Sequence, residues 1–357
     1  MSRYKQEDLN NGVVTGFLED KVQAWHQAGI NPDTLFDLGR AFFGPVPHEV
    51  AERLLGWQPV IITPQVITDW VMGDNGEELV EFALPDRLSQ FIANPITKNI
   101  VNVAGSGYNA DLHITMREAI GAAMDAECDI ASVVMLGDGA HMGMSFRARD
   151  TIVLGGEWGG AVPYVGFNSS LTGAIATQMD TGTTLRVCDN TMEWAAMQAK
   201  RSLKVKRTRF STNKITASNV REALEISFAG TEELVKELEA MANISVDVSQ
   251  ISQVLQLWKP IPEEDGRGKT MATNQHESFI EELIGRRNPF GMTVAGMLQA
   301  HNTWAHWSQS AKGLDQSATG RLDRMAKRTA TGEVRGDDAQ FMEIMAGVFP
   351  ELALIGA

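Results

Sequence analysis

Two apolar runs, residues 130–136 and 140–154, flank Gly137-Asp138-Gly139, and an Asp-Gly turn between apolar runs folds a chain back on itself as a β-hairpin. In the second run Met142, Met144, Phe146 and Ala148 alternate with His141, Ser145, Arg147 and Arg149. Such period-two alternation predicts a strand with one face on a core and the other presenting cations. A second hairpin is expected from residues 174–179 and 183–188 around Asp180-Thr181-Gly182, with 162–167 as a further strand. These signals call for an antiparallel sheet.

Upstream, the break Gly44-Pro45-Val46-Pro47 precedes a helix predicted over 47–55, and the proline-punctuated stretch 57–70 suits irregular edge strands. Residues 99–103 read as a strand ending at Gly105-Ser106-Gly107, and 115–126 as a helix. A strand at 185–188 is expected to run straight into a helix capped by Asn190, with Glu193 in the capping-box position. From there helices dominate. One is predicted over 218–229, closing at Gly230; a second, capped by Thr231, runs through Met241; others cover 249–258, 276–286, 293–310 and 341–349. The fold class expected is α+β, an antiparallel sheet built from hairpins with helices gathered mainly in the C-terminal half. Residues 1–24 read as a peripheral segment, 25–310 as one domain (sheet-rich over 58–188, helical over 189–310), and 311–357 as a polar tail with a short terminal helix.

Charge singles out one segment. The chain carries a formal net charge of −14 over 357 residues, yet from Trp194 to Arg221 it has no acidic residue, and between 200 and 209 six of ten are cations: Lys200, Arg201, Lys204, Lys206, Arg207 and Arg209. An acidic chain does not coat nucleic acid with its whole surface, so any phosphate contact must be local. That strip, with Phe210 to stack a base and Arg147 and Arg149 extending the surface, is the candidate nucleic-acid-binding site. Tyr164 and Trp158 are further candidate stacking residues. The competing reading of the strip is a helix end whose basic turn complements its own dipole, followed by a solvated strand.

Other motifs carry less. Gly105-Ser106-Gly107 lacks the third glycine and the lysine of a phosphate loop. Asp180-Thr181-Gly182 resembles half an aspartic-protease signature, whose chemistry needs two carboxylates, and only one copy is present. His301 and His306 lie five apart, off a common helix face, so aromatic packing is expected there and no metal ligation. Cys128 and Cys188 have no CxxC spacing; Cys188, beside Arg186, is expected to be a buried structural thiol. No cofactor is expected, and no catalytic residue is assigned. The absence of a signal pattern or a membrane-length apolar run leads to the expectation of a cytoplasmic protein.

Ala24-Trp25-His26, Leu55-Gly56-Trp57, the run from Val101 to Gly105 with Tyr108, Asp180-Thr181-Gly182, Arg186-Val187-Cys188-Asp189-Asn190-Thr191 and Asn302 occur in an order that resembles the phage/plasmid-like proteins, domain of unknown function 932. The likeness spans about Trp25 to His306 and is most specific at Arg186 to Thr191. It implies a phage or prophage origin in a neighbourhood of DNA metabolism, and it brings no catalytic residues. Two function classes follow: a non-enzymatic single-stranded nucleic-acid-binding protein supporting recombination or replication, or an acidic protein-interaction or host-takeover protein without nucleic-acid contact. A homo-oligomer is compatible with either.

Overall fold

A computed structural model describes residues 12–17, 39–63, 66–73, 76–83, 90–105, 108, 112–149, 160–172, 178–185, 191–192, 216–285, 288–305 and 333–355. In chain order the first half holds β1 (Gly12–Thr15), α1 (His48–Leu55), β2 (Val60–Ile62), β3 (Val66–Gly73), β4 (Gly76–Ala83), β5 (Gln90–Ala93), β6 (Ile100–Ala104), α2 (Leu112–Asp125), β7 (Cys128–Leu136), β8 (His141–Ala148), β9 (Ala161–Ser169), β10 (Gln178–Leu185) and β11 (Thr191–Met192). Then come α3 (Ala217–Ala242), α4 (Val248–Trp258), α5 (Arg267–Ile284), α6 (Val294–Thr303) and α7 (Glu333–Val348). The fold is α+β, with antiparallel sheets and with most helices in the C-terminal half.

The principal sheet has six strands in the order β1-β7-β8-β9-β10-β11. Register carries one buried row across five of them: Val14 faces Val133, Val133 faces Met144, Met144 faces Phe167, and Phe167 faces Met179. A parallel row joins Ile130, Phe146, Val165 and Thr181. Within β8 the alternation read from 140–154 holds, with Met142, Met144 and Phe146 all pointing inward, while residues 150–154 lie outside the described residues. On that face lie Val50 and Leu54 of α1, Met116 and Ile120 of α2, and Val220 and Leu224 of α3. Each such aliphatic or aromatic side chain contributes roughly 1.5–3 kcal/mol by leaving water. β1, from the segment expected to be peripheral, forms the sheet edge, where Arg40 Nε donates to the Val13 carbonyl at 2.9 Å.

The Gly137–Gly139 turn does join β7 to β8, with Asp138 at φ 56° and Gly139 at φ 98°. The second expected hairpin is absent. Asp180, Thr181 and Gly182 sit in the middle of β10, opposite Gly166, Val165 and Tyr164. Turn-forming residues yield here to a full-length ladder with β9 and to burial of Met179, Thr181 and Thr183. The helix expected to start after Asn190 is not found at its first positions either, because Thr191 and Met192 pair with Thr184 and Thr183 and extend the sheet. Residues 186–190, with Cys188, lie outside the described residues.

α3 runs unbroken for 26 residues, so Gly230 does not end one helix and Thr231 does not cap another. The Thr231 hydroxyl donates instead to the Ser227 carbonyl at 2.8 Å and lies 2.7 Å from the Thr183 hydroxyl. Packing on the strand below outweighs the roughly 1 kcal/mol cost of an interior glycine. The true cap is Thr216, in a reciprocal box with Asn219. Beyond Thr231 the same helix enters a second core through Leu234, Leu238 and Met241, shared with Trp258, Phe279, Met297, Phe341 and Met345. α6 is buried along its whole length, and α7 begins at Glu333, ahead of the terminal helix expected at 341. Among the described residues no helix is long and apolar enough to cross a membrane.

β2, β5 and β6 form a separate three-stranded sheet, and β3 and β4 a two-stranded ribbon between β2 and β5. Asn102 Nδ2 and the Tyr108 hydroxyl both donate to the Leu171 carbonyl, at 2.8 and 2.5 Å, and Asn94 Nδ2 donates to the Asp138 carbonyl at 2.8 Å. These bonds dock the small sheet on the loops of the large one. Burial pushes the Tyr108 phenol up.

Gly139 combines a positive φ with the Trp57 ring where a Cβ would sit. Gly139→Ala is therefore expected to lower stability by about 2–4 kcal/mol, summing left-handed strain and overpacking. Urea denaturation checks this, and a loss under 1 kcal/mol would contradict the packing of Trp57 on this turn. Cys128 gives a pH-dependent test. Burial, reinforced by the Asp129 carboxylate and offset in part by Arg221 and Arg149, pushes its thiol from 9.0 up to about 11. Between 9 and 11 the unfolded chain has lost this proton while the folded chain keeps it, so stability falls as pH rises through that window. Wild type should lose more stability there than Cys128→Ala; parallel curves would mean that the thiol is not held protonated by the fold.

Candidate nucleic-acid interface

The described part of the candidate interface lies on the side of the principal sheet opposite α1 and α2. Its chemistry follows from strand alternation, which turns Asp129, Ser132, Ser145 and Arg147 away from the buried rows. Ser132 and Ser145 share a hydrogen bond of 2.7 Å across β7 and β8. Arg147 is half-buried, its guanidinium carbon 3.0 Å from the centroid of the Phe17 ring, so this cation braces the β1 end of the sheet. Arg149, just past β8, is exposed, with Nε 3.4 Å from Asp129 Oδ1. The two side chains are 58% and 22% exposed, a solvated pair that contributes little to stability and leaves the guanidinium able to exchange its partner for a phosphate.

Tyr164 is half-buried across from Gly182, and a Cβ on that glycine would run into the phenol ring. The ring thus covers a bare stretch of backbone, a packing role available only because residue 182 has no side chain. Lys200, Arg201, Lys204, Lys206, Arg207, Arg209 and Phe210 lie outside the described residues, as does Trp158. Their flanks are placed. β11 at Met192 ends on the outer edge of the principal sheet, and Thr216 opens α3. The first turn of α3 holds no acidic residue, so the positive end of its dipole faces the chain that enters it. Arg221 is already engaged, donating from Nη2 to the Asp125 carbonyl at the C-terminus of α2 at 2.7 Å.

Further along α3 the sign reverses. Glu222, Glu225, Glu232, Glu233 and Glu239 are exposed, and the carboxyl of Glu237 is pushed up by its partial burial and by Glu233. These carboxylates make the exposed side of α3 beyond its first turn acidic.

A second polar group lies within the helical core. His301 of α6 stacks on Phe341, with ring centroids 4.1 Å apart at 14°, and presents its edge to Trp258 at 5.2 Å. Its Nδ1 is 3.3 Å from Asp338 Oδ1, off the alignment of a hydrogen bond, and both side chains are almost fully buried. Such a pair orients an imidazole, but His301, 1% exposed between Trp258 and Phe341, has no open side for a substrate. The aromatic packing read for His301 is what the structure contains; His306 lies outside the described residues. Nothing in the sequence signalled Asp338, whose partner is set by the packing of α7 on α6.

No curated protein and no solved structure matches the chain. A family model described as Domain of unknown function (DUF932) matches residues 109–332, from the start of α2 to just before α7. That match takes in the principal sheet beyond β1, the basic segment, α3 and most of the helical core, and by it the chain belongs to the domain of unknown function 932 family.

Proposed function

We propose that this chain is a phage-encoded, non-enzymatic protein of the host cytoplasm that holds single-stranded nucleic acid in support of recombination or replication. The observation that carries the reading is the isolation of the cations. Six of the ten residues from 200 to 209 are Lys or Arg in a chain of net charge −14, and they lead into the capped, acid-free first turn of a 26-residue helix. Clustered cations beside a helix N-terminus hold phosphate through charge and oriented N–H groups together. Lys200, Arg201, Lys204, Lys206, Arg207 and Arg209 track the backbone, Arg149 extends the track, and Phe210 stacks a base. Arg147, with its guanidinium on Phe17, supports the sheet beneath.

A second reading has its own observation. Five exposed glutamates along α3 present an acidic face suited to a basic protein partner, the arrangement expected of a protein-interaction or host-takeover factor. The two readings differ in how binding responds to salt and to the strip.

If the strip contacts some four to six phosphates, the logarithm of affinity for single-stranded oligonucleotide falls against the logarithm of salt with a slope of about −3 to −4. Replacing Lys204, Lys206 and Arg207 by Ala should flatten that slope by about 2. Fluorescence anisotropy across a salt series measures both. A wild type that retains neither single-stranded DNA nor RNA at low salt would end the nucleic-acid reading and leave the protein-partner one.

A further inference from the structure

The small sheet leaves a face that the principal sheet does not use. Its inner side is used at the centre and at β6, where Ile92 is buried, Asn102 is bonded to the Leu171 carbonyl and Val101 packs against the first core, and is open only at Ile61 of the edge strand. Register puts two other rows on the outer side, Val60 and Ile100 flanking the buried Ala93, and Ile62 with Phe91 and Val103. Val60, Ile62, Ile100 and Val103 are 45%, 46%, 57% and 40% exposed, and Phe91 is half-buried. Among the described residues β2 is also an open edge, with all three of its side chains exposed. From the same sheet extends the β3–β4 ribbon, whose strands of 8 residues pair with each other and pack on no other described element to a comparable extent. It exposes Met72 and Leu79 at 74% and 56%. A lone two-stranded ribbon is marginal in water, and natural sheets rarely leave an apolar edge open.

We propose that the outer face of the β2-β5-β6 sheet, with the β3–β4 ribbon beside it, is the surface on which a second copy of this chain packs. Nucleic acid does not fit the face. No Lys or Arg stands in its two rows, and the ribbon carries exposed Glu77 and Glu81, which repel phosphate. A copy of the same chain does fit the two sheet rows, which are uncharged throughout and present apolar against apolar about a two-fold axis, while Glu77 and Glu81, on the same ribbon face as Met72 and Leu79, hold the ribbon to the rim of the contact. Area supports the same occupant. Face and ribbon together present on the order of 500 Å² of apolar surface per copy, the size of the largest apolar patch on a typical monomer, which is often a functional one. Two copies would bury on the order of 1,000 Å² of such surface, the lower limit for a specific interface. This surface is remote in chain from the basic segment, and the inference holds whether or not that segment binds nucleic acid.

Sedimentation equilibrium on the full chain, at low and high salt, tests it. Self-association should tighten as salt rises, because two chains of net charge −14 repel each other through a screened field while apolar burial is not weakened by screening. This is the opposite salt response to phosphate binding. Ile62→Lys and Val103→Lys should each weaken association by about tenfold or more with an unchanged circular dichroism spectrum, since both side chains are exposed in the monomer. Met72→Lys on the ribbon reads the same interface should a sheet variant fail to fold. Leu257→Lys, 55% exposed on α4, should leave association as it was. A wild type that stays monomeric at every salt and concentration overturns the proposal, as does association that survives all three interface variants or dissolves as salt rises.

Discussion

Two buried hydroxyls, Thr183 on β10 and Thr231 on α3, meet at 2.7 Å, and the placement of both hydrophobic cores depends on that meeting. The Thr231 hydroxyl donates to the Ser227 carbonyl, so the Thr183 hydroxyl donates to Thr231, and Thr183 deprived of that acceptor would cost about 1–3 kcal/mol. The contact therefore selects one register of helix on sheet. One turn earlier, Ser227 Oγ lies 2.8 and 2.9 Å from the carbonyls of Tyr164 and Gly182, a residue pair across β9 and β10. Small hydroxyl residues let the helix approach the strands, and the consequences run both ways along it. Val220, Ala223 and Leu224 then fall on the sheet, and Leu234, Leu238 and Met241 fall among α4 to α7. A single helix thus belongs to two cores, and its position in one is transmitted to the other.

What could be read in the chain beforehand divides along the same line. Local signals were legible: the β7–β8 hairpin from Asp138-Gly139, the strand faces from alternation, α1, α2, α4 and the α+β class. Signals that tertiary packing overrides were misread. Asp180-Thr181-Gly182 has turn chemistry, but β9 offers it a ladder along its full length. Gly230 and Thr231 look like a helix end and a new cap, yet the strand beneath supplies the Thr231 hydroxyl with a partner that no local pattern announces. The β3–β4 ribbon was passed over for another reason. Proline punctuation suggested irregular strands from 57 to 70, whereas Gly73-Asp74-Asn75-Gly76 between two eight-residue strands was the available turn signal, and Gly73 faces Gly76 in the register. Of the candidate interface, the cations were legible as charge alone. That Arg147 would spend its guanidinium on Phe17 follows only from β1 joining the sheet edge, a pairing between residues more than a hundred positions apart.

The second core shows a different economy of polar groups. α6 is enclosed on every side, and yet it carries Gln299, His301, Asn302 and Thr303. Gln299 Nε2 donates to Thr303 Oγ1 at 3.2 Å, while His301 is held between Phe341, Trp258 and the Asp338 carboxylate. An aromatic cage around an oriented imidazole limits where α7 can dock, because Phe341 and Asp338 are both on that helix. Specific docking is the role such buried polar groups are best suited to, since apolar residues of similar volume would pack α7 at least as strongly but in more than one register.

Electrostatics then separates two surfaces that packing alone would leave equivalent. The basic segment joins Met192, on the edge of the principal sheet, to Thr216, at the head of α3. Glutamates along α3 and on the β3–β4 ribbon keep the remaining surface acidic. An acidic protein that held phosphate at one place would need this separation, because a cation interleaved with carboxylates is neutralised by its neighbours before any ligand arrives. The uncharged rows of the small sheet obey the complementary rule. They stand where a net charge of −14 would otherwise drive copies apart, and they offer contact without placing like charges face to face. Binding a polyanion at the first surface would also neutralise part of the repulsion between copies meeting at the second. On the two proposed readings taken together, phosphate binding and self-association would then favour each other through charge, with no change of shape required of either surface.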